Sequence, residues 1–338
     1  MPFPDWTAVR LSTPADYAEA MPYLIGYRPR QSVVVAAFHG DRCTVAARLG
    51  LPAAESAWLD YAAAGARKVV AQLDAAPDAV VLYLVGDPRP GEDGRTVAAR
   101  LAPLAGMLAA AFARHAVAVR LALCISDGRW WDLDTAPGPG TVLSETAPGP
   151  AAVAFTVAGA PPAPAQDALT ATLAPLTGME ADSLRAALHD AYATRAPSTA
   201  RPAAHALLED AAAAFADPAA TALPARDAAA LLLALSDGAV RYWAMSLPDT
   251  HTNSAARRLF AYLATAAVHP HESLACAPLT LLAASAWYDD DRALARLALH
   301  RACRVDPAAP LPGLLLAAFN LFVSTRELKD MARAGRPG

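Results

Sequence analysis

The sequence predicts an α/β domain with a mixed sheet over residues 1–160, followed by an all-helical domain over 161–338. Three observations carry that prediction. Short apolar runs rich in Val, Leu and Ala recur in the first half: 33–38 and 79–85 are continuous, as expected of strands covered on both faces, and 117–125 alternates around Arg120. Stretches of helical period separate them, the alternation that builds a layered α/β sheet. Beyond Gln166 the chain is alanine-rich and reads as helices alone.

Each element follows from its residues. Thr13-Pro14-Ala15-Asp16 is a helix start, with a hydroxyl N-cap, proline at the first helical position and an acid in the first turn. Pro22 and Gly26 are expected to cut that helix short. Tyr27 to Ser32 is a loop leading into a strand at Val33–Phe38. His39-Gly40-Asp41 turns the chain, and Cys43 to Leu49 returns as an antiparallel partner. Between Glu55 and Ala75, Trp58, Tyr61, Gly65, Val69 and Leu73 form one apolar helical stripe. Ala79–Val85 is a second buried strand, ending in a turn-rich loop, Gly86–Gly94. Thr96–His115 is helical again, with Leu101, Leu104, Leu108 and Phe112 on one side and Pro103 as a point of kinking.

Val117, Val119, Leu121, Leu123 and Ile125 alternate with Arg120 and smaller residues. Asp127-Gly128 is the two-residue signal of a type I′ hairpin, and Arg129-Trp130-Trp131-Asp132-Leu133 returns. Thr135–Gln166 is rich in Pro, Gly, Ala and Thr and reads as the junction between domains, with 152–157 as a strand or short helix. Helices are then expected at 167–193, 203–216, 225–247, 253–268, 272–288, 291–304 and 311–323. The pair around Ala286-Trp287, closing at Asp306-Pro307, resembles a tetratricopeptide hairpin, but one copy without a 34-residue period makes no solenoid.

Composition bounds the function. The chain has 338 residues, of which 55% are hydrophobic and 18% charged, so a packed core is available and a disordered chain is excluded. A net charge of −4 gives no footprint for nucleic acid. Lys68 and Lys329 are the only lysines, which rules out a polybasic membrane tether. No run of about 18–20 uninterrupted apolar residues is present. MPFPDWTAVR lacks the pattern of a secretory signal. Cys43, Cys124, Cys276 and Cys303 are scattered without a C-x-x-C pair, so they read as small buried hydrophobes. The expected location is the cytoplasm.

Three stretches together resemble an actinobacterial family of domains of unknown function. They are Pro22-Tyr23-Leu24-Ile25-Gly26-Tyr27-Arg28-Pro29 with Ser32-Val33-Val34, then Asp127-Gly128-Arg129-Trp130-Trp131, then the Ala286-Trp287 hairpin ending in Asp306-Pro307. The resemblance implies this fold and a cytoplasmic location, and no chemistry. Family members often carry a cysteine-containing segment after the tryptophan-rich hairpin. Here Asp132 to Pro137 stands in its place, so a cysteine-based site there would be absent.

Signatures of known chemistry are missing: no phosphate loop, dinucleotide fingerprint, H-E-x-x-H, nucleophile elbow or EF-hand. No motif assigns a cofactor, and no metal site is expected; His269, His271 and Glu272 read as an exposed inter-helix loop. The catalytic candidates come from topology instead. If the strands ending at Phe38, Val85 and Ile125 run parallel, His39, Asp87 and Ser126-Asp127 emerge together at their carboxyl ends. A histidine beside carboxylates suits general-base work, and two aspartates suit Mg²⁺. Read as structure, Asp127 is the turn residue of the hairpin and Asp87 a loop cap. Arg28, Ser32, Arg89 and Arg129 are the candidates for gripping a ligand, with ion pairing and capping as their structural alternative. Trp130 and Trp131 must face opposite sides of the sheet. Asp289-Asp290-Asp291 reads as a helix cap. The expected function is a non-catalytic protein-interaction or regulatory module, binding a protein or peptide on its helical half. The alternative is a small-molecule hydrolase or transferase at the sheet edge.

Overall fold

The computed structural model describes residues 9–40, 42–72, 77–135, 138–144, 148–160, 163–193, 201–247 and 252–321. The chain divides into two units, one running to Gln166 and the other spanning Asp167–Phe319.

The first unit opens with α1 (Pro14–Ile25), held at its start by a reciprocal capping box. Thr13 Oγ1 accepts from Asp16 N at 3.2 Å, and the Asp16 carboxylate accepts from the Ser12 and Thr13 N–H groups. Pro22 does not end this helix as expected. One lost bond is outweighed by burial of Tyr17, Met21, Leu24 and Ile25, and the helix runs on to Gly26, whose φ of +92° supplies the left-handed cap.

Then follow β1 (Ser32–His39), β2 (Arg42–Gly50), α2 (Trp58–Val70), β3 (Ala79–Val85), α3 (Gly94–Ala113), β4 (Ala118–Ser126), β5 (Arg129–Asp132), β6 (Thr141–Val142) and α4 (Pro150–Val157). Leu73, expected on the α2 stripe, and Asp41 lie outside the described residues. The six strands form one mixed sheet in the order β2-β1-β3-β4-β5-β6. Asp127 and Gly128 have φ of +47° and +66°, the positive values a type I′ turn requires.

One expectation fails here. β3 and β4 are parallel, but β1 runs antiparallel to β3, with Ser32 opposite Val85 and Phe38 opposite Ala79. The cause is the path of the chain. The crossover through α2 leaves from β2, so β3 takes the direction of β2, yet it inserts beside β1. His39 is thereby carried to the end of the sheet opposite Asp87 and Asp127.

Side-chain alternation distributes the core between two layers. Val33, Val35, Val45, Val80, Leu82 and Leu84 face α2 and α3, meeting Trp58, Val69, Leu101, Leu104, Leu108 and Phe112. On the other face, α1 places Tyr17 edge-on against Phe38, ring centroids 5.8 Å apart. α3 is 20 residues long and apolar enough to cross a membrane by length and composition; its apolar stripe is instead packed in this core. The 152–157 ambiguity resolves as helix. α4 docks on α1, where Phe155 stacks on Tyr23 at 4.9 Å and Glu19 Oε2 accepts from Ala152 N at 3.3 Å.

The second unit is helical throughout its described residues: α5 (Gln166–Thr172), α6 (Gly178–Ala193), α7 (Arg201–Ala214), α8 (Ala225–Ala234), α9 (Gly238–Ala244), α10 (Asn253–Ala266), α11 (Cys276–Tyr288), α12 (Arg292–Val305) and α13 (Pro310–Asn320). Two expected helices are broken. The first splits between Leu173 and Thr177 around Pro175, and the second at Asp237, whose carboxylate caps α9 through Ala239 N at 2.7 Å. In α11 and α12, Ala283, Ala286, Ala295, Ala298 and Ala302 are all buried, so the two helices approach closely. The aspartate run joins them. Asp291 Oδ1 accepts from Leu294 N at 3.1 Å, and Arg257 of α10 pairs with both Asp291 and Asp289.

Candidate functional site

The carboxyl ends of β3 and β4 lie beside the entry of β1 and the exit of β2, because β1 and β3 are antiparallel. That register brings most of the sequence-derived candidates to one end of the sheet. Asp87 follows β3, Asp127 follows β4, Arg129 opens β5, Arg89 lies in the β3–α3 loop, and Arg28 and Ser32 flank the entry to β1. His39 is at the far end, where its Nδ1 is 3.8 Å from Asp78 Oδ1. The constellation of His39 with Asp87 and Asp127 therefore does not form.

Several of the side chains gathered here are held by one another or by backbone carbonyls. Arg30 grips Asp87 with two nitrogens, Nε at 3.1 Å and Nη2 at 2.8 Å from Oδ2. Ser32 is fully buried. Its hydroxyl donates to Arg30 O at 2.6 Å and accepts from Arg48 Nε at 2.7 Å. Arg100 binds Glu92 at 3.0 Å and donates to Asp87 O at 3.3 Å. Arg129 donates to the carbonyls of Pro139 and Gly140, and Trp131 Nε1 to Gly138 O at 3.1 Å. The backbone of Arg28 pairs with the 164–166 segment. Ser126 is buried at the end of β4, and its Oγ has no partner among the described residues.

Arg30, Arg48 and Arg100 were not legible as site residues. Arg48 and Arg100 sit within a strand and a helix, and only the antiparallel β1–β3 register carries Arg30 next to Asp87. The Arg30–Asp87 pair is 53% and 31% exposed, so its worth is small. A double-mutant cycle of Arg30→Ala with Asp87→Asn is expected to give a coupling of about 0.2–1 kcal/mol by urea unfolding.

The acids flanking this end favour their charged forms. Hydrogen bonds from the Thr96 hydroxyl and N–H hold the Asp93 carboxyl below its ordinary 3.8. The Arg89 N–H, assisted by Arg100, holds Glu92 below 4.5. Burial instead pushes the Cys124 thiol up to about 12. A carboxyl depressed on folding contributes stability above its unfolded pKa and loses it as pH falls through the folded value. The urea midpoint of the α/β unit is therefore expected to fall between roughly pH 6 and pH 3, and less steeply in Asp93→Asn. Among the described residues, no three His, Cys, Asp or Glu side chains converge as a metal-ligand set.

Comparison with known families adds one result. The family model described as a domain of unknown function (DUF4192) matches residues 14–324. The chain belongs to the DUF4192 family. The match begins at the first residue of α1 and takes in both the sheet and the helices, so the DUF4192 region is the whole two-unit architecture. No curated protein and no solved structure matches the chain.

Proposed function

We propose that this DUF4192 protein is a non-catalytic interaction or regulatory module whose helical unit takes an amphipathic segment of a partner protein. The observation that carries this reading is the exposure of large apolar side chains in that unit. Met179 on α6 is 88% exposed, Leu314 on α13 66% and Tyr192 on α6 50%. Covering such side chains yields about 25 cal/mol per Å², the driving force of helix-in-groove recognition. The α11–α12 pair, with its alanine-lined interface, supports a tetratricopeptide-like hairpin as the scaffold. The sheet end adds to this reading, since Asp87, Ser32 and Arg129 are spent on internal contacts. A cytoplasmic setting, without nucleic acid or membrane as partner, accords with the net charge of −4 and the two lysines.

The second reading, a small-molecule enzyme at the sheet end, draws on the arginines gathered around Asp87 and on the buried Ser126 hydroxyl. In-cell crosslinking of the full chain separates the two. The interaction reading expects a defined protein adduct that Leu314→Glu or Met179→Glu abolishes, with the circular dichroism unchanged, and that Asp87→Asn leaves intact. An adduct indifferent to both helical variants would overturn it.

A further inference from the structure

Two cysteines in the helical unit carry an inference that the function above does not use. Cys276 is the first residue of α11, and Cys303 lies in the last turn of α12. These helices are joined by the turn Asp289–Asp291; Cys276 stands fourteen residues before its middle residue, Asp290, and Cys303 thirteen after it. Nearly equal climbs along two antiparallel helices bring the two residues to nearly the same level, at the open end of the hairpin.

They also share a face. Cys276, Thr280, Ala283 and Trp287 follow one helical stripe, and Arg292, Arg296, Leu299 and Cys303 follow another. At the turn end both stripes meet Phe319 of α13: its ring lies 4.9 Å from that of Trp287, with the Arg292 and Arg296 guanidinium groups 5.0 and 4.9 Å from its centroid. At the open end, Cys276 lines a cleft of about 170 Å³ with Thr280, Arg241, Asp306, Leu311 and Pro312. Asp306, three residues past Cys303, lines the same cleft. Cys276 is 8% exposed and Cys303 is half-buried, and neither is in a disulfide. The thiols lie close enough to influence each other's charge: burial, then Asp306, and finally Cys303 push the Cys276 thiol up.

We propose that Cys276 and Cys303 are a dithiol site that a low-molecular-weight disulfide oxidises to an intramolecular disulfide. The more exposed Cys303 attacks first as its thiolate, breaking the S–S bond of the reagent and releasing one thiolate. The mixed disulfide on Cys303 is then attacked at its Cys303 sulfur by the Cys276 thiolate, which expels the second reagent thiolate. The protein loses two electrons and two protons, and the reagent leaves as two thiols. Closure requires Cα atoms within about 7 Å, and the buried alanines between α11 and α12 let the two helices pack closely. The alternative partners are remote in kind: Cys124 is wholly buried in β4, and Cys43 is committed to Val45 O at 3.3 Å in β2.

The test is to expose the full-length reduced protein to oxidised glutathione, quench by alkylation, and measure intact mass and peptide map. The expected result is a loss of about 2 Da with a single linked peptide pair, Cys276–Cys303. In Cys276→Ser the first step is trapped, and glutathione remains on Cys303. A wild-type protein that accumulates glutathione on Cys303 without the link, or that stays alkylated at both positions, overturns the proposal, and neither result requires a variant to fold.

Discussion

Arg258→Ala is expected to cost the helical unit about 3 kcal/mol. From α10 its guanidinium donates to the carbonyls of Phe215 at 2.8 Å, Asp217 at 2.8 Å, Pro218 at 3.0 Å and Ala220 at 2.7 Å. It also lies 5.7 Å from the Phe215 ring centroid. These carbonyls belong to the link between α7 and α8, where no helix supplies them with N–H partners. A charged donor is worth about 1.5–3 kcal/mol for one bond, but four bonds from one side chain are not additive, and water replaces part of the loss. The melting transition of the helical unit should drop by roughly 6–12 °C, with the α/β unit unchanged. Arg258→Lys should recover little, since an ammonium group lacks the planar fork that spans several carbonyls. Full rescue by lysine would show that charge, and not geometry, holds the link.

The α/β unit has its own point of greatest sensitivity at Trp131. Truncation to alanine is expected to cost about 3–5 kcal/mol. The indole is 4% exposed and fills the space between two glycines. A Cβ at Gly94, the first residue of α3, would stand 2.4 Å from its Cη2, and a Cβ at Gly140 would stand 2.4 Å from its Cε2. Gly140 has in addition a φ of +73°, unfavourable for any other residue. Gly140→Ala should therefore destabilise by a comparable amount. Because both changes remove the same contact, Trp131→Ala combined with Gly140→Ala should cost well below the sum of the two, read from urea midpoints. Strict additivity would show that the loop at Gly140 does not lean on the indole.

The same residues show what the sequence made legible. Asp127-Gly128 and the two tryptophans announced the β4–β5 hairpin, because a type I′ turn has a strict residue signature and adjacent strand residues must part to opposite faces. Trp131 indeed enters the core. Direction was harder. Nothing in Val33–Phe38 says whether the strand lies parallel or antiparallel to Ala79–Val85, since a doubly covered strand has the same apolar run either way. That one ambiguity misplaced His39 and hid Arg30, whose meeting with Asp87 depends on the antiparallel register. The strand β6 is two residues long, too short for any alternation to register. In the helical half, alanine occupies both faces, so periodicity could not reveal the breaks at Pro175 and Asp237. The caps themselves were readable. Thr13, Asp16 and Asp291 do what their residue types predict.

The central claim is that the helical unit binds a protein partner and that the polar end of the sheet is internal structure. Native mass spectrometry of the full chain, purified gently from its own kind of host and compared with its denatured mass, tests this most directly. The account predicts a complex with a second polypeptide that Leu314→Glu dissolves and Asp87→Asn preserves. A bound small molecule that departs in Asp87→Asn, on a chain with no protein partner, would contradict it.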